Sequence, residues 1–526
     1  MRIRPECDRN GSTPYYARFD WDVKAVRVAR QLRIFLEKIP RDRSRDRRHR
    51  SEISFDEILS PAVCFALARL RQTAPAAKNI LAESAWDDLH RDLSARLAFA
   101  LTPTLRLHQA ATEAVACSLS VGHNGHRQNP VRMSVTLLET IKEFPDLLAT
   151  AAQVISAWTD AQRELFTRLL RDRADLCSGF LRTRKRARVL HIRPGMSDPH
   201  DGGRTATLIQ FVGNARTIYK PRSSDGERFW FEALRWLNRN GIGASFRTPK
   251  MISRKNYFWM EFLRAKSCKS SGEVRLFYFR WGVQVALAQI LGAADLHREN
   301  WLAIGSQPIL VDVELIGGGD SASLRPKRNS QKRPSLPAIL QTGLLPLIAG
   351  DRAGLYRGIA PLDATISASP SPSCWPRHRG HARTPSRYVS DLIRGFEAVA
   401  RLFRAPEMAQ RFFKEVVLRG PSREQRVLLR PTAHYARLLR ESWQAHNMIS
   451  AGERWRRLFR ECHTSASTRR LAQVEARDLF RCDIPKFTRR KNAVPASWKV
   501  FSAAIAGLNS SSRLLRSRVL LGTRRR

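Results

Sequence analysis

From Phe55 to about Phe180, apolar residues return every three or four positions, the period of helices packed along one face. Trp158, Leu165, Phe166, Leu169 and Leu170 fall on one such face. Pro145 and the segment GHNGHRQNP (122–130) interrupt the run as helix breakers, not as strand turns. A shorter helical pattern, VKAVRVARQLRIFLEKI, stands inside the polar and basic residues 1–50. After Leu181 the period changes. ATLIQFVGNARTIYKP alternates and turns at Gly213-Asn214, which predicts a hairpin. NYFWMEFL (256–263) predicts a further strand and FYFRWGVQVALAQILGAA (277–294) a buried helix. WLAIGSQPILVDVELI (301–316) predicts a second hairpin, turning at Gly305-Ser306.

Beyond that hairpin the patterning loosens. Residues 317–387 are rich in Ser, Pro, Gly, Arg and Lys around one apolar island, LPAILQTGLLPLI, and read as an irregular insertion. Helical periods return from Tyr388 to about Leu479, with a strand-like QRVLLRPT (425–432) among them. The C-terminal tail shows one weak apolar stretch. The expected organisation is a basic, poorly ordered segment at 1–50, a helical scaffold at 51–185, and a core of strands and a buried helix at 186–316. The insertion at 317–387, a helical region with a short strand at 388–487 and a basic tail at 488–526 complete it. The fold class is α+β.

Composition changes this picture little. With 526 residues and 43% hydrophobic content a sizeable core is possible. Lys and Arg total 92 against 47 Asp and Glu, a net charge of +45. Such a surplus attracts polyanions. The arginines are nevertheless scattered, with few aromatic residues among them, so an Arg-rich composition explains more of the charge than a nucleic-acid surface does. RDRSRDRRHR at 41–50 reads as a solvated loop. The eight cysteines form no CxxC pair, which argues against a zinc site or a disulfide framework. His108, His123 and His126 have no ligand-like partners at helical spacing. No run approaches the roughly 18 apolar residues of a membrane span. The first residues, MRIRPECDRNG, carry no apolar signal segment, so a cytoplasmic location is expected.

The candidate chemistry concentrates in DLHRENWLAIGSQPILVDVE. Asp295, His297 and Asn300 stand in a loop after a helix, and a hairpin then delivers Asp312 and Glu314. Residues i and i+2 on a strand share a face, so both carboxylates can address one site. An Asp, an Asn five residues later, a hairpin and another Asp is the arrangement of a kinase. There the first Asp orients or deprotonates the hydroxyl, and the Asn and second Asp hold magnesium on ATP. Lys220, at the end of ARTIYK, stands where a strand-borne phosphate lysine belongs. Alone it is an ordinary strand-end lysine, and the Asp/His/Asn loop alone is a capped polar turn; their order makes the chemical reading the stronger one. SDPHDGGRT (197–205) adds Asp198, His200 and Arg204 in a Gly-rich loop, whose residues by themselves also read as a plain turn. Arg426 and Thr432, six apart, share a face if 425–432 is a regular strand, and could hold a phosphate.

Taken in order, D-x-H-x-x-G-R (198–204), YKPR (219–222), FYFRWG (277–282), DLHREN (295–300), PILVDVE (308–314), TGLLP (342–346), QRVLLRPT (425–432) and DIPKF (483–487) resemble the dehydratase domain of class II lanthipeptide synthetases. The resemblance runs from about residue 50 to 487. It implies a lipid-kinase-like catalytic core, a β-rich lobe plus a helical lobe, embedded in a mostly helical scaffold. It implies phosphorylation of Ser and Thr in a precursor peptide, recognised through a leader segment, with ATP and Mg2+. Elimination of phosphate would then leave dehydroalanine or dehydrobutyrine. It places Lys220 on the ATP phosphates, Asp295 and His297 around the attacking hydroxyl, and Asn300, Asp312 and Glu314 at magnesium. Arg426 and Thr432 would act in elimination, assisted by Asp198 and His200. Two departures stand out: Leu315 replaces the hydroxyl residue usual after DVE, and the resemblance stops near DIPKF with no cyclase match, so a separate cyclase is expected. Residue chemistry alone leaves three other readings open: a phosphotransferase that stops at the phosphate, a basic nucleic-acid-binding protein, and an inactive truncated homologue.

Overall fold

The computed structural model describes residues 23–39, 55–119, 136–181, 188–317, 337–347, 360–363, 373–420, 424–427, 429–465, 468–490 and 497–520. They form two compact units: Met1–Pro221 with Thr432–Pro485, and Arg222–Pro431 with Lys486–Arg526.

Long helices build the first unit. The helix Pro145–Leu176 opens on a proline, whose missing N–H lacks a helical partner at that position anyway. Its Trp158, Leu165, Phe166 and Leu169 are buried, as their spacing predicts. Leu170 departs from that face and is 37% exposed. At 3.6 residues per turn it stands about a quarter-turn beyond Leu169. The helix Val23–Glu37 packs on this one, and its Val28 and Leu32 are buried. GHNGHRQNP, with His123 and His126, lies outside the described residues; His108 Nδ1 stands 2.9 Å from Thr140 Oγ1. The strands Val189–Arg193, Thr207–Phe211 and Arg216–Lys220 form an antiparallel meander. Its second turn places Gly213 (φ +86°) and Asn214 (φ +62°) in the left-handed region, as the Gly-Asn signal predicts. Helices Thr432–Ser442, Ala451–Ser465 and Arg469–Phe480 complete the unit.

The second unit surrounds the helix Ser271–Ile290, whose residues from Phe277 onward are buried almost without interruption. A helix buried on every side belongs in a core. It crosses the helix Val389–Leu402 at backbone contact. A Cβ at Gly282 would lie 1.8 Å from the Leu392 carbonyl oxygen, and one at Gly395 would lie 1.8 Å from that of Phe279. Only glycine fits at either point. The strands Met251–Ser253 and Phe258–Glu261 pair antiparallel. Trp301–Ile304 pairs with Gln307–Leu310 through a turn at Gly305, as expected. From the insertion, Ile339, Leu340, Leu344 and Leu345 are buried in the unit's core.

Two expectations are corrected here. The segment 425–432 is not one regular strand: the ladder covers Glu424–Val427, against Phe487–Arg490, and Thr432 begins the helix Thr432–Ser442. Pro431 cannot donate to a ladder and its fixed φ suits entry to a helix, so Arg426 and Thr432 do not share a strand face. The C-terminal tail, read as a single weak apolar stretch, forms two helices, Trp498–Ala506 and Leu508–Leu520. Phe501, Leu508, Leu515 and Val519 are fully buried. Their spacing of seven, seven and four forms one helical stripe that abundant arginine had diluted. Most elements are helices and the strands pair antiparallel, an α+β arrangement. No helix among the described residues is long and apolar enough to cross a membrane.

Candidate functional site

The richest cluster of polar side chains lies in the second unit. After the helix Ser271–Ile290, the chain turns through Gly292 and then Asp295, which holds φ +61°. Few non-glycine residues adopt that conformation, and Asp is one of them. Asn300 Nδ2 donates to the Asp295 carbonyl at 2.8 Å, and Val311 N donates to the Asn300 carbonyl at 2.8 Å. The loop is thereby stitched to the outgoing end of the hairpin. Its ladder ends at Leu310, and Asp312 and Glu314 stand on the extended continuation with Val313 buried between them. The first turn of the helix Asp225–Arg239 presses on this segment: a Cβ on Gly226 would fall 1.9 Å from the Val313 carbonyl oxygen.

Arg222 organises the two carboxylates. It pairs with Asp312 Oδ1, with Glu314 Oε1 through Nε at 2.8 Å, and with Glu227 through Nη1 at 2.9 Å. Its guanidinium also lies 5.3 Å from the Phe258 ring centre. Burial by itself would lower the pKa of Arg222, yet Glu227, Asp312 and Glu314 hold it well above the usual value. Arg426 Nη1 takes the other oxygen of Glu314 at 2.8 Å. Burial pushes the Asp295 carboxyl up to about 6; Asp312 and Glu314 add to that, while His297 and Arg426 oppose it. The convergence expected of Asp312 and Glu314 is thus realised on Arg222, and Asp295, His297 and Arg426 lie within electrostatic reach of the same carboxylates.

Of the three expected magnesium ligands, two suit that ion. Asn300 points its amide nitrogen at Asp295, which leaves its amide oxygen as the donor for a cation. Asp312 is 30% exposed and supplies a hard carboxylate oxygen. Glu314 does not fit, because guanidinium groups engage both of its oxygens. No group of three His, Cys, Asp or Glu among the described residues has the arrangement of a metal site.

Asp198, His200, Lys220 and Thr432 belong to the first unit. Lys220 ends its strand and is buried. Asp198 and His200 stand on the loop that leads into Thr207–Phe211, where His200 and Arg204 exchange backbone hydrogen bonds at 3.0 Å. His200 Nδ1 lies 2.8 Å from the Ile484 carbonyl oxygen. A carbonyl can only accept, so Nδ1 is the donor in this contact. Arg204 is held by Glu164 at 2.6 Å.

Sequence reading missed Arg222 and Glu227 as members of the cluster. Arg222 was visible only as the last letter of YKPR, and one arginine among so many carries no signal. Only folding brings it to a carboxylate ninety positions away.

A family model described as a domain of unknown function, DUF4135, matches residues 144–360 and 362–490, more than half of the chain. Among curated proteins, the chain is 24% identical over 280 residues to the lacticin 481/lactococcin biosynthesis protein LcnDR2 of Lactococcus lactis subsp. lactis. The match covers 46% of this chain and 30% of that relative.

Proposed function

Because the chain belongs to the DUF4135 family and is a class II lanthipeptide synthetase-like protein, we propose that it dehydrates Ser and Thr of a ribosomal precursor peptide with ATP. The observation that carries this reading is the gathering of Asp295, Asn300 and Asp312 around one loop and hairpin end. On this reading the second unit holds the active part of a lipid-kinase-like core. With its carboxyl titrating near 6, Asp295 is ionised at neutral pH and accepts the proton of the Ser or Thr hydroxyl. That oxygen bonds to the γ-phosphorus as the bond to the β,γ-bridging oxygen breaks and ADP leaves. A magnesium ion held by Asn300 and Asp312 would neutralise phosphate charge. Arg222 fixes Asp312, and Glu314 ties Arg222 to Arg426.

In the second step a base removes the Cα proton, a Cα=Cβ bond forms, and phosphate leaves with the C–O electron pair. His200 Nε2 suits the base or acid role, and Arg426 the departing dianion. Lys220 on the ATP phosphates, with Asp198 and Thr432 in elimination, enters this reading from sequence alone. A leader-bearing precursor as substrate and a separate cyclase belong to the same proposal. The pairing of Arg426 with Glu314 beside Asp295 favours one second reading, a phosphotransferase that stops at the phosphate.

Mass spectrometry tests both. The substrate to be sought is a Ser-, Thr- and Cys-rich peptide encoded by a short reading frame near this gene, incubated with protein, ATP and Mg2+. Dehydration shows as a loss of ~18 Da per site and phosphorylation alone as a gain of ~80 Da. In a dehydratase, Arg426→Ala accumulates phosphopeptide. A peptide left unchanged by the wild-type protein overturns the proposal.

A further inference from the structure

DIPKF is a motif to which the chemistry above gives no task. In the structure its first two residues seat the loop that carries His200. Ile484 N donates to the Pro199 carbonyl at 3.0 Å, and the Ile484 carbonyl holds His200 Nδ1. Asp483 grips the next stretch of the same loop: its carboxylate accepts Gly202 N–H at 2.5 Å through Oδ2 and Gly203 N–H at 3.3 Å through Oδ1. The loop is shaped for that grip. Asp201, Gly202 and Gly203 hold φ +52°, +90° and +76°, three successive left-handed residues. Asp201 in such a run is strained unless its surroundings enforce it. Gly203 is required for a second reason, since a Cβ there would meet Ala157 Cβ at 3.1 Å.

Asp483 is 8% exposed. Burial pushes it up to about 7, with Asp201 and Asp478 adding to the shift and the two glycine N–H groups opposing it. A buried acid beside two others is an unfavourable arrangement, and what it holds here is the backbone two residues from His200. We propose that Asp483 is a positioning residue for phosphate elimination: its grip on Gly202 and Gly203 sets the loop that presents His200, without touching the peptide. This rests on the dehydratase reading and adds to it a residue outside both the cluster in the second unit and the residues assigned to the reaction.

Asp483→Asn is the informative variant. It keeps shape and one acceptor oxygen but sets an NH2 group against a glycine N–H, donor against donor. Hydrogen exchange at Gly202 and Gly203 reports the grip. Phosphorylation is followed with the precursor peptide and ATP, and elimination with the same peptide synthesised with phosphoserine. Expected are faster exchange at the two glycines, elimination reduced on the order of 100-fold, and phosphorylation unchanged. Asp483→Glu, which keeps the charge, restores part of the elimination rate. Where the Asn variant does not fold, Gly202→Ala attacks the same contact from the loop side. Unchanged exchange, equal loss of both steps, or normal elimination in the variant overturns the positioning role alone. A wild-type protein that leaves phosphoserine intact overturns the dehydratase reading, and the role falls with it.

Discussion

Arg454 in the first unit and Arg222 in the second are guanidinium groups paired with carboxylates, the first fully buried and the second only partly, and their surroundings differ. Arg454 pairs with Asp146 at 2.6 Å, and both side chains are fully sealed from solvent. Burial raises the Asp146 carboxyl in spite of Arg454, so desolvation outweighs the attraction. Such a pair specifies how helices dock more than it stabilises them. Arg222 instead is shared among Glu227, Asp312 and Glu314, and Asp312 remains partly open to solvent. Burial lifts Asp295 to about 6 there, and Asp312 and Glu314 add to the shift. A closed, balanced pair is architecture. An open cluster with a partly exposed carboxylate can receive a cation and move a proton.

The largest effect should come from breaking the closed pair. Arg454→Ala leaves Asp146 buried without its partner and should lower unfolding stability by about 3–5 kcal/mol in urea titrations. A loss under about 1 kcal/mol would mean that water or another group replaces the arginine. Arg222→Lys keeps the charge but not the fork that spans three carboxylates. Phosphorylation should fall at least about tenfold, or ~1.4 kcal/mol, while the urea midpoint moves less than in Arg454→Ala. A variant with the wild-type rate would remove Arg222 from the site.

Asp295 sharpens the contrast by the smallest shift. Its folded pKa is raised above 3.8, so its contribution to stability is complete below about pH 3.8 and is lost as pH rises through about 6. Asp295→Asn should therefore abolish phosphorylation yet raise the denaturation midpoint at pH 8 and not at pH 3.5. In the wild type, the phosphorylation rate should rise with pH through about 6 as the carboxylate forms. A rate that is flat from pH 5 to 8 would exclude Asp295 as the proton acceptor.

Much of the second unit was legible from local pattern. The hairpin Trp301–Leu310, the buried helix Ser271–Ile290 and the Asp295–Asn300 loop are encoded within short windows, where alternation, turn residues and spacing act directly on the backbone. Leu170 and the 425–432 segment misled for the same reason in reverse: each extended a local period past the point where geometry ended it, the strand stopping at Val427 and the helix beginning at Thr432. The C-terminal helices were hidden because arginine masked an apolar stripe that only burial revealed.

By itself, the sequence determined which residue types could do phosphate chemistry and the order in which they follow one another. Tertiary structure decided the partners. Arg222 reaches Asp312 and Asp483 reaches Gly202 across 90 and 281 positions. Charges at such separations have no preferred partner until packing fixes them, and desolvation then sets how strongly each one acts.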